Sequence, residues 1–295
     1  MDKATRLGRW LRKMHLRARR AVAGMLGGLY PSLFKGAGIV FEEVREYQPG
    51  DDVRSIDWHV TARLGRPFIK RFTEERERII LLAVDRSASM AFASGARSKL
   101  EAAAELLAFL AWAATWNRDR IGLALLTDRL EHFLVPSRGT RYTARILRDL
   151  LWHPVSQRRG ELGSALRELA AVQRRRAVLV IASDFLDASV WQILPKLAGR
   201  HECLAVCVYD PLEQTLPPLG QIGLHDAETN LPLVLPARSR RVRMQLVQHF
   251  RTWQEHLRDG FARSHIDAIW LATDQDPLHV LVQFFQKHRS GRLRR

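Results

Sequence analysis

Two cysteines among 295 residues leave no room for a disulfide framework or a four-thiolate zinc site. Both fall in the apolar run Cys203-Leu204-Ala205-Val206-Cys207-Val208-Tyr209, where a period of two places them on one face of a strand. They read as free buried thiols in a reducing, cytoplasmic setting. No apolar run reaches the roughly 18 to 20 residues that cross a bilayer, and the longest, Leu106 to Trp116, stops at Asn117-Arg118. The chain opens without a secretory signal pattern. It also lacks internal repeats, a Gly-x-Ser-x-Gly elbow around Ser87, a phosphate loop with Gly-Lys-Ser or Gly-Lys-Thr, and any pair of histidines at zinc spacing. His59 stands alone and reads as structural, and these gaps argue against an enzyme.

Acidic residues are the minority charge, 31 against 47 basic, for a net +16. The excess sits at the ends. Residues 1 to 20 hold eight Lys or Arg against Asp2, and residues 286 to 295 hold five with no acid. Basic ends suit nucleic acid, an anionic membrane or an acidic protein, so one reading of function is binding to a polyanion through the two termini. The start is also amphipathic, with Leu7, Trp10, Leu11 and Met14 at helical spacing among arginines, as for a basic helix packed on the protein itself. Near-average apolar content, 46%, supports a sizeable core.

From residue 79 onward, short apolar runs alternate with helical patterns. Ile79 to Val84, Ile121 to Leu126, Ala177 to Ala182, Cys203 to Tyr209 and Ile266 to Leu271 read as strands, with Leu130 to Val135 as a hairpin partner. Ser98 with Glu101 forms a capping box before a helix that is apolar nearly all round from Leu106 to Trp112. Further helices are expected near 142–151, 161–172, 190–197 and 242–261, and after Asp276-Pro277. This rhythm predicts a doubly wound, Rossmann-like α/β sheet over 79–288. Residues 36–78 differ, with turn chemistry at Tyr47-Gln48-Pro49-Gly50-Asp51-Asp52 between extended runs, and predict a small β-rich subdomain packed against the sheet. The ends become a basic helical segment, 1–35, and a basic tail, 289–295.

Chemistry gathers at Asp85-Arg86-Ser87-Ala88-Ser89, at the carboxyl end of the first buried strand, where open α/β sheets bind ligands. An Asp followed by two hydroxyls at alternate positions offers oxygen ligands for a hard cation such as Mg²⁺. Ser183-Asp184-Phe185-Leu186-Asp187 follows the strand Ala177 to Ala182 in the same topological position. Glu43, Glu46, Asp51, Asp52 and Asp57 stand against Arg45 and Arg54; their spacing selects no acid–base pair, and they read as an ion-pair network with Trp58 packed beneath it. Arg174, Arg175 and Arg176 read as a solvated helix end.

The Asp85 loop resembles the metal-ion-dependent adhesion site of the von Willebrand factor A fold, whose pattern is Asp-x-Ser-x-Ser plus a Thr and an Asp from later loops. The segment Gly38 to Trp58, with Glu46-Tyr47-Gln48-Pro49-Gly50-Asp51-Asp52 at its centre, and Thr61-Ala62-Arg63 after it, is similar to the bacterial domain-of-unknown-function 58 family. That resemblance runs through Asp85 to Met90, weakens after residue 210, and covers about two thirds of the chain. It implies that Ser87 and Ser89 bind metal through their hydroxyls, with Asp85 and Asp184 coordinating or holding waters. It also implies a non-enzymatic interaction module that partners a MoxR-type AAA+ ATPase in chaperone-like maturation or assembly. Where the family commonly has Thr-Asp-Leu, this chain reads Gly160-Glu161-Leu162-Gly163-Ser164, so the hydroxyl ligand is missing unless Ser164 or Glu161 substitutes.

Overall fold

The computed structural model describes residues 3–21, 38–49, 51–75, 78–154, 161–225 and 232–292. Gly160, the side chains of Glu43 and Arg54, and those of residues 288–295 lie outside the described residues. The chain divides into two compact units: Met1–Phe34 with Ile79–Arg295, and Lys35–Arg78. The first helix, α1 (Lys3–Ala21), therefore belongs to the larger unit and is not a separate segment. Met14 and Ala18 on its apolar face are fully buried, while Arg12, Lys13, Arg19 and Arg20 stay exposed. Burying one methionine contributes about 1.5–3 kcal/mol toward offsetting the entropy lost in ordering the helix.

In the smaller unit, β1 (Gly38–Glu46) leads into α2 (Trp58–Leu64), and β2 (Phe68–Glu75) returns antiparallel to β1, with Arg45 opposite Ile69. The turn is held by Asp51, whose carboxylate takes the Arg45 guanidinium at 2.7 Å and the Gln48 amide at 2.8 Å. Asp57 caps α2 by accepting from the His59 and Val60 amides, and Gly65, at φ 69°, ends it in the left-handed conformation. Trp58 does not pack beneath this network; it is 67% exposed. It is the first residue of a two-turn helix whose inward positions go to the Asp57 cap and to Thr61, which accepts from the Phe68 amide, while Ile69 is the buried apolar side chain.

The larger unit is built on β3 (Ile79–Asp85), α3 (Lys99–Trp116), β4 (Arg120–Leu126), β5 (Leu130–Ser137) and α4 (Thr140–Trp152). It continues with α5 (Leu162–Val172), β6 (Val178–Ser183), α6 (Leu194–Arg200), β7 (Glu202–Tyr209), and the short α7 (Pro211–Gln214). The hairpin β8 (Gln221–His225) and β9 (Pro232–Pro236), then α8 (Arg240–Arg263), β10 (Asp267–Ala272) and α9 (Pro277–Arg292), complete it. The sheet order is β10-β7-β6-β3-β4-β5, parallel except for β5, which runs antiparallel at its edge. Strand order reverses between β3 and β6, the switch point of a doubly wound sheet.

Both faces are covered, which is why the strands read as unbroken apolar runs. Ile80, Leu82 and Val84 of β3 point to a cluster with α1, α3, α4 and α9; Leu81 and Ala83 point to a second with α5, α6 and α8. Cys203 and Cys207 share the second face, free and buried. Helix α3 starts at the Ser98–Glu101 capping box and is apolar all round because it lies on the sheet under α1, α4 and α9. The segment expected as one helix from 190 is instead a 3₁₀ turn, Ala188–Gln192, followed by α6.

Gly260 in α8 lies against Trp191, whose ring carbons would stand 2.4 Å from an added Cβ. In an exposed helix Gly to Ala stabilises by about 1 kcal/mol. Here the contact reverses the sign, so Gly260→Ala lowers unfolding free energy by about 1–3 kcal/mol. A rise in the urea midpoint would contradict the packing described.

Candidate functional site

Asp85 ends β3 and Ser183-Asp184 end and follow β6, side by side at the switch point. The Asp85 carboxylate accepts from the Ser87 amide at 2.8 Å and the Ser183 hydroxyl at 2.6 Å, fixing the loop that turns into a 3₁₀ segment at Ala88–Ala91. The hydroxyl oxygens of Ser87 and Ser89 then lie 3.1 Å apart. Burial, and after it the Asp184 charge, push the Asp85 carboxyl up to about 6. Phe185, next to Asp184, sits at φ 52°, a strained conformation for a bulky residue. It is held there by its amide bond to the Ser183 hydroxyl at 2.9 Å and by its buried ring against Phe261.

The sequence reading missed Lys99. Its ammonium is buried and bonds Asp184 and Glu213, each at 2.7 Å. Burial alone would lower its pKa, but the two carboxylates outweigh burial and raise it, so it stays charged. Glu213 in turn closes a capping box on α7 with Asp210, which accepts from the Ser94 amide and hydroxyl and from Thr273. The carboxyl ends of β6, β7 and β10 and the loop after β3 are thus tied by one polar network. The available signal was that Lys99 is the single basic residue of α3, whose only other charged residues are Glu101 and Glu105.

Two hydroxyl oxygens 3.1 Å apart match adjacent ligands on an ion with bonds of about 2.0–2.1 Å. Asp85 lies beside them and adds a hard carboxylate oxygen. Asp184 is already paired with Lys99. The two candidates for the missing hydroxyl are engaged elsewhere: Ser164 accepts from Arg167 at 2.8 Å, and Glu161 is exposed and lies 3.7 Å from the same guanidinium. The Ser87, Ser89 and Asp85 side fits a cation; the Asp184 side holds an ammonium.

Beside the triad opens an apolar groove with a cavity volume of about 220 Å³, running from Asp184 and Glu213 past Leu186 and Leu216 to Phe250 and Trp253. The thiols take no part: burial pushes Cys203 up to about 12 and raises Cys207 well above the ordinary thiol range, keeping both protonated and inert. Among the described residues no helix is long and apolar enough to cross a membrane.

A family model described as "Protein of unknown function DUF58" matches residues 43–256. The chain belongs to the DUF58 family. Similar relatives include uncharacterized protein Rv1480 of Mycobacterium tuberculosis, 33% identical over 302 residues, covering 96% of this chain and 90% of that one. Uncharacterized protein MAV169 of Mycobacterium avium is 34% identical over 167 residues, covering 54% of this chain and 96% of its own. Among solved structures, BatB from Bacteroides thetaiotaomicron aligns with TM-score 0.43 at 14% identity, over 72% of this chain and 99% of that one. The VWA domain of SpRpn10 aligns with TM-score 0.40 at 11% identity, over 70% and 95%. The sheet order of this DUF58 chain, its antiparallel edge strand and its covered faces are those of a doubly wound α/β sheet.

Removing Lys99 strands the buried Asp184 carboxylate and frees the part-exposed Glu213, so Lys99→Met loses about 3–5 kcal/mol of stability. Glu213→Gln, at a half-exposed partner, loses less; equal losses would contradict the geometry. Asp85 keeps its proton in the fold to about pH 6, against 3.8 when free. Between those values the unfolded chain ionises first, so in metal-free buffer this group's contribution to stability falls as pH rises, by up to about 3 kcal/mol. Denaturation of Asp85→Asn at pH 4 and pH 7 should lack that component.

Proposed function

We propose that this DUF58 protein is a non-enzymatic protein-interaction module that receives its partner at the Asp85, Ser87 and Ser89 loop and the apolar groove beside it. The observation that carries this reading is the pair of hydroxyls 3.1 Å apart at the switch point, fixed by a carboxylate already committed to an amide and a hydroxyl. A carboxylate tied at both oxygens, to the Ser87 amide and the Ser183 hydroxyl, holds the loop in one shape for a partner. In this reading Ser87 and Ser89 hold Mg²⁺ through their hydroxyl oxygens, with Asp85 next to them and Asp184 kept in place by Lys99. The ion supplies a Lewis-acidic point for a carboxylate of the partner, and the groove accepts an apolar side chain next to it. The partner class, a MoxR-type AAA+ ATPase in maturation or assembly, rests on the family resemblance.

The test is capture of that ATPase by the full chain, with Mg²⁺ and with chelator. Asp85→Ala and Ser87→Ala should each weaken capture about tenfold or more, and the chelator should do the same. Deleting α1 is unsuitable, since Met14 and Ala18 are core residues. Glutamine at Arg12, Lys13, Arg19 and Arg20 tests the polyanion reading instead. Binding that ignores the loop variants but collapses with those four substitutions and with salt would favour nucleic acid or an anionic membrane as the target.

A further inference from the structure

A second group of side chains able to ligate a metal gathers at the end of α4 that Arg86 reaches. We propose that His132, Asp149 and His153 form a binding site for a borderline divalent transition metal of the Zn²⁺ class. This goes beyond the partner loop and does not depend on it. His132 lies on the edge strand β5, opposite Leu125 of β4. Asp149 is in the last turn of α4 and His153 is its C-cap, its amide bonded to the Asp149 carbonyl at 2.9 Å. That spacing of four puts both side chains on one helix face. One ligand atom from each of the three residues lies within 4.8 Å of the others.

An entering ion would compete with the nitrogens that already face Asp149. One Asp149 oxygen is held by the Arg148 guanidinium at 2.6 and 2.8 Å. The other faces the His132 Nε2 at 3.4 Å, with the Arg145 Nε 3.7 Å away. The His132 Nε2 is shut off from solvent and makes no hydrogen bond. The two imidazole rings stack at 3.9 Å and 18°. Two imidazole nitrogens and one carboxylate oxygen are the donor set zinc takes with three protein ligands, leaving a fourth position for water or a partner's side chain. Arg148 acts as the partner that orients the ligating carboxylate. Arg145, more than half exposed, is the charge that gives way when the ion enters. The Arg86 guanidinium bonds the Leu150 carbonyl at 2.7 Å and the His153 carbonyl at 3.4 Å, fixing the helix end that carries two of the ligands.

The experiment titrates chelator-stripped full-length protein with Zn²⁺ by calorimetry and with Co²⁺ by visible absorption. One equivalent of either ion should bind, with the intense Co²⁺ bands of a four-coordinate site. His132→Gln and His153→Gln should each weaken binding about tenfold or more, and Arg145→Gln should strengthen it. Excess Mg²⁺ should not compete, and Ser87→Ala should bind Zn²⁺ as the parent does, which separates this site from the partner loop. Circular dichroism checks the fold of each variant, and if one histidine variant does not fold the other gives the same reading. Absence of saturable uptake, or parental affinity in a folded histidine variant, overturns the proposal.

Discussion

One buried ammonium organises the end of the sheet where this protein has its polar chemistry. Lys99 enters at the start of α3, the most deeply buried helix, and meets Asp184 from β6 and Glu213 from α7. Taking charges out of water costs several kcal/mol per ion, so the arrangement persists only because each charge meets its opposite at hydrogen-bonding distance. The constraint propagates outward. Glu213 must face Lys99, which sets α7; α7 is capped by Asp210; Asp210 collects Ser94 and Thr273 from two other strand ends. Burial holds the proton on the Asp85 carboxyl, and the charge of Asp184, fixed on one side by Lys99, adds to it.

The pattern of apolar runs made most of this architecture legible. Each parallel strand is buried on both faces, so Ile79 to Val84 and Ala177 to Ala182 read as continuous rather than alternating segments, and the Ser98–Glu101 box marked the start of α3 to the residue. The Asp85 and Asp184 loops could be found because fold topology, rather than local chemistry, puts them together. What stayed hidden depends on long-range contact. Lys99 and Glu213 are 114 positions apart, and nothing local says that they meet. Trp58 faces solvent, against its reading as a packed residue, since a large aromatic at a helix start gives no sign of which way it faces. His132 and His153 come from a strand and a helix end, so a search for two histidines at fixed spacing passes over them.

The N-terminal charge also reads differently once the helix is placed. Arg12, Lys13, Arg19 and Arg20 are exposed on α1, whereas Arg17 crosses to Asp276 at 2.8 Å and lies over the Phe109 ring. Part of that basic surplus is structural, spent on fastening the first helix to the loop before α9 and to α3. A basic composition is therefore weak evidence about partners until each cation has been located.

The groove shares two of its lining groups, Asp184 and Glu213, with the ion triad, and the exposed part of the triad is the Glu213 carboxylate. Whatever fills the groove strips water from that carboxylate and lowers the dielectric around the Lys99 contacts. An occupant of either charge or none would thus be felt at Asp184, at the strained Phe185 turn and at the capped start of α7. The groove and the fold share a thermodynamic cycle: occupancy stabilises the sheet's carboxyl end, and loosening that end weakens occupancy.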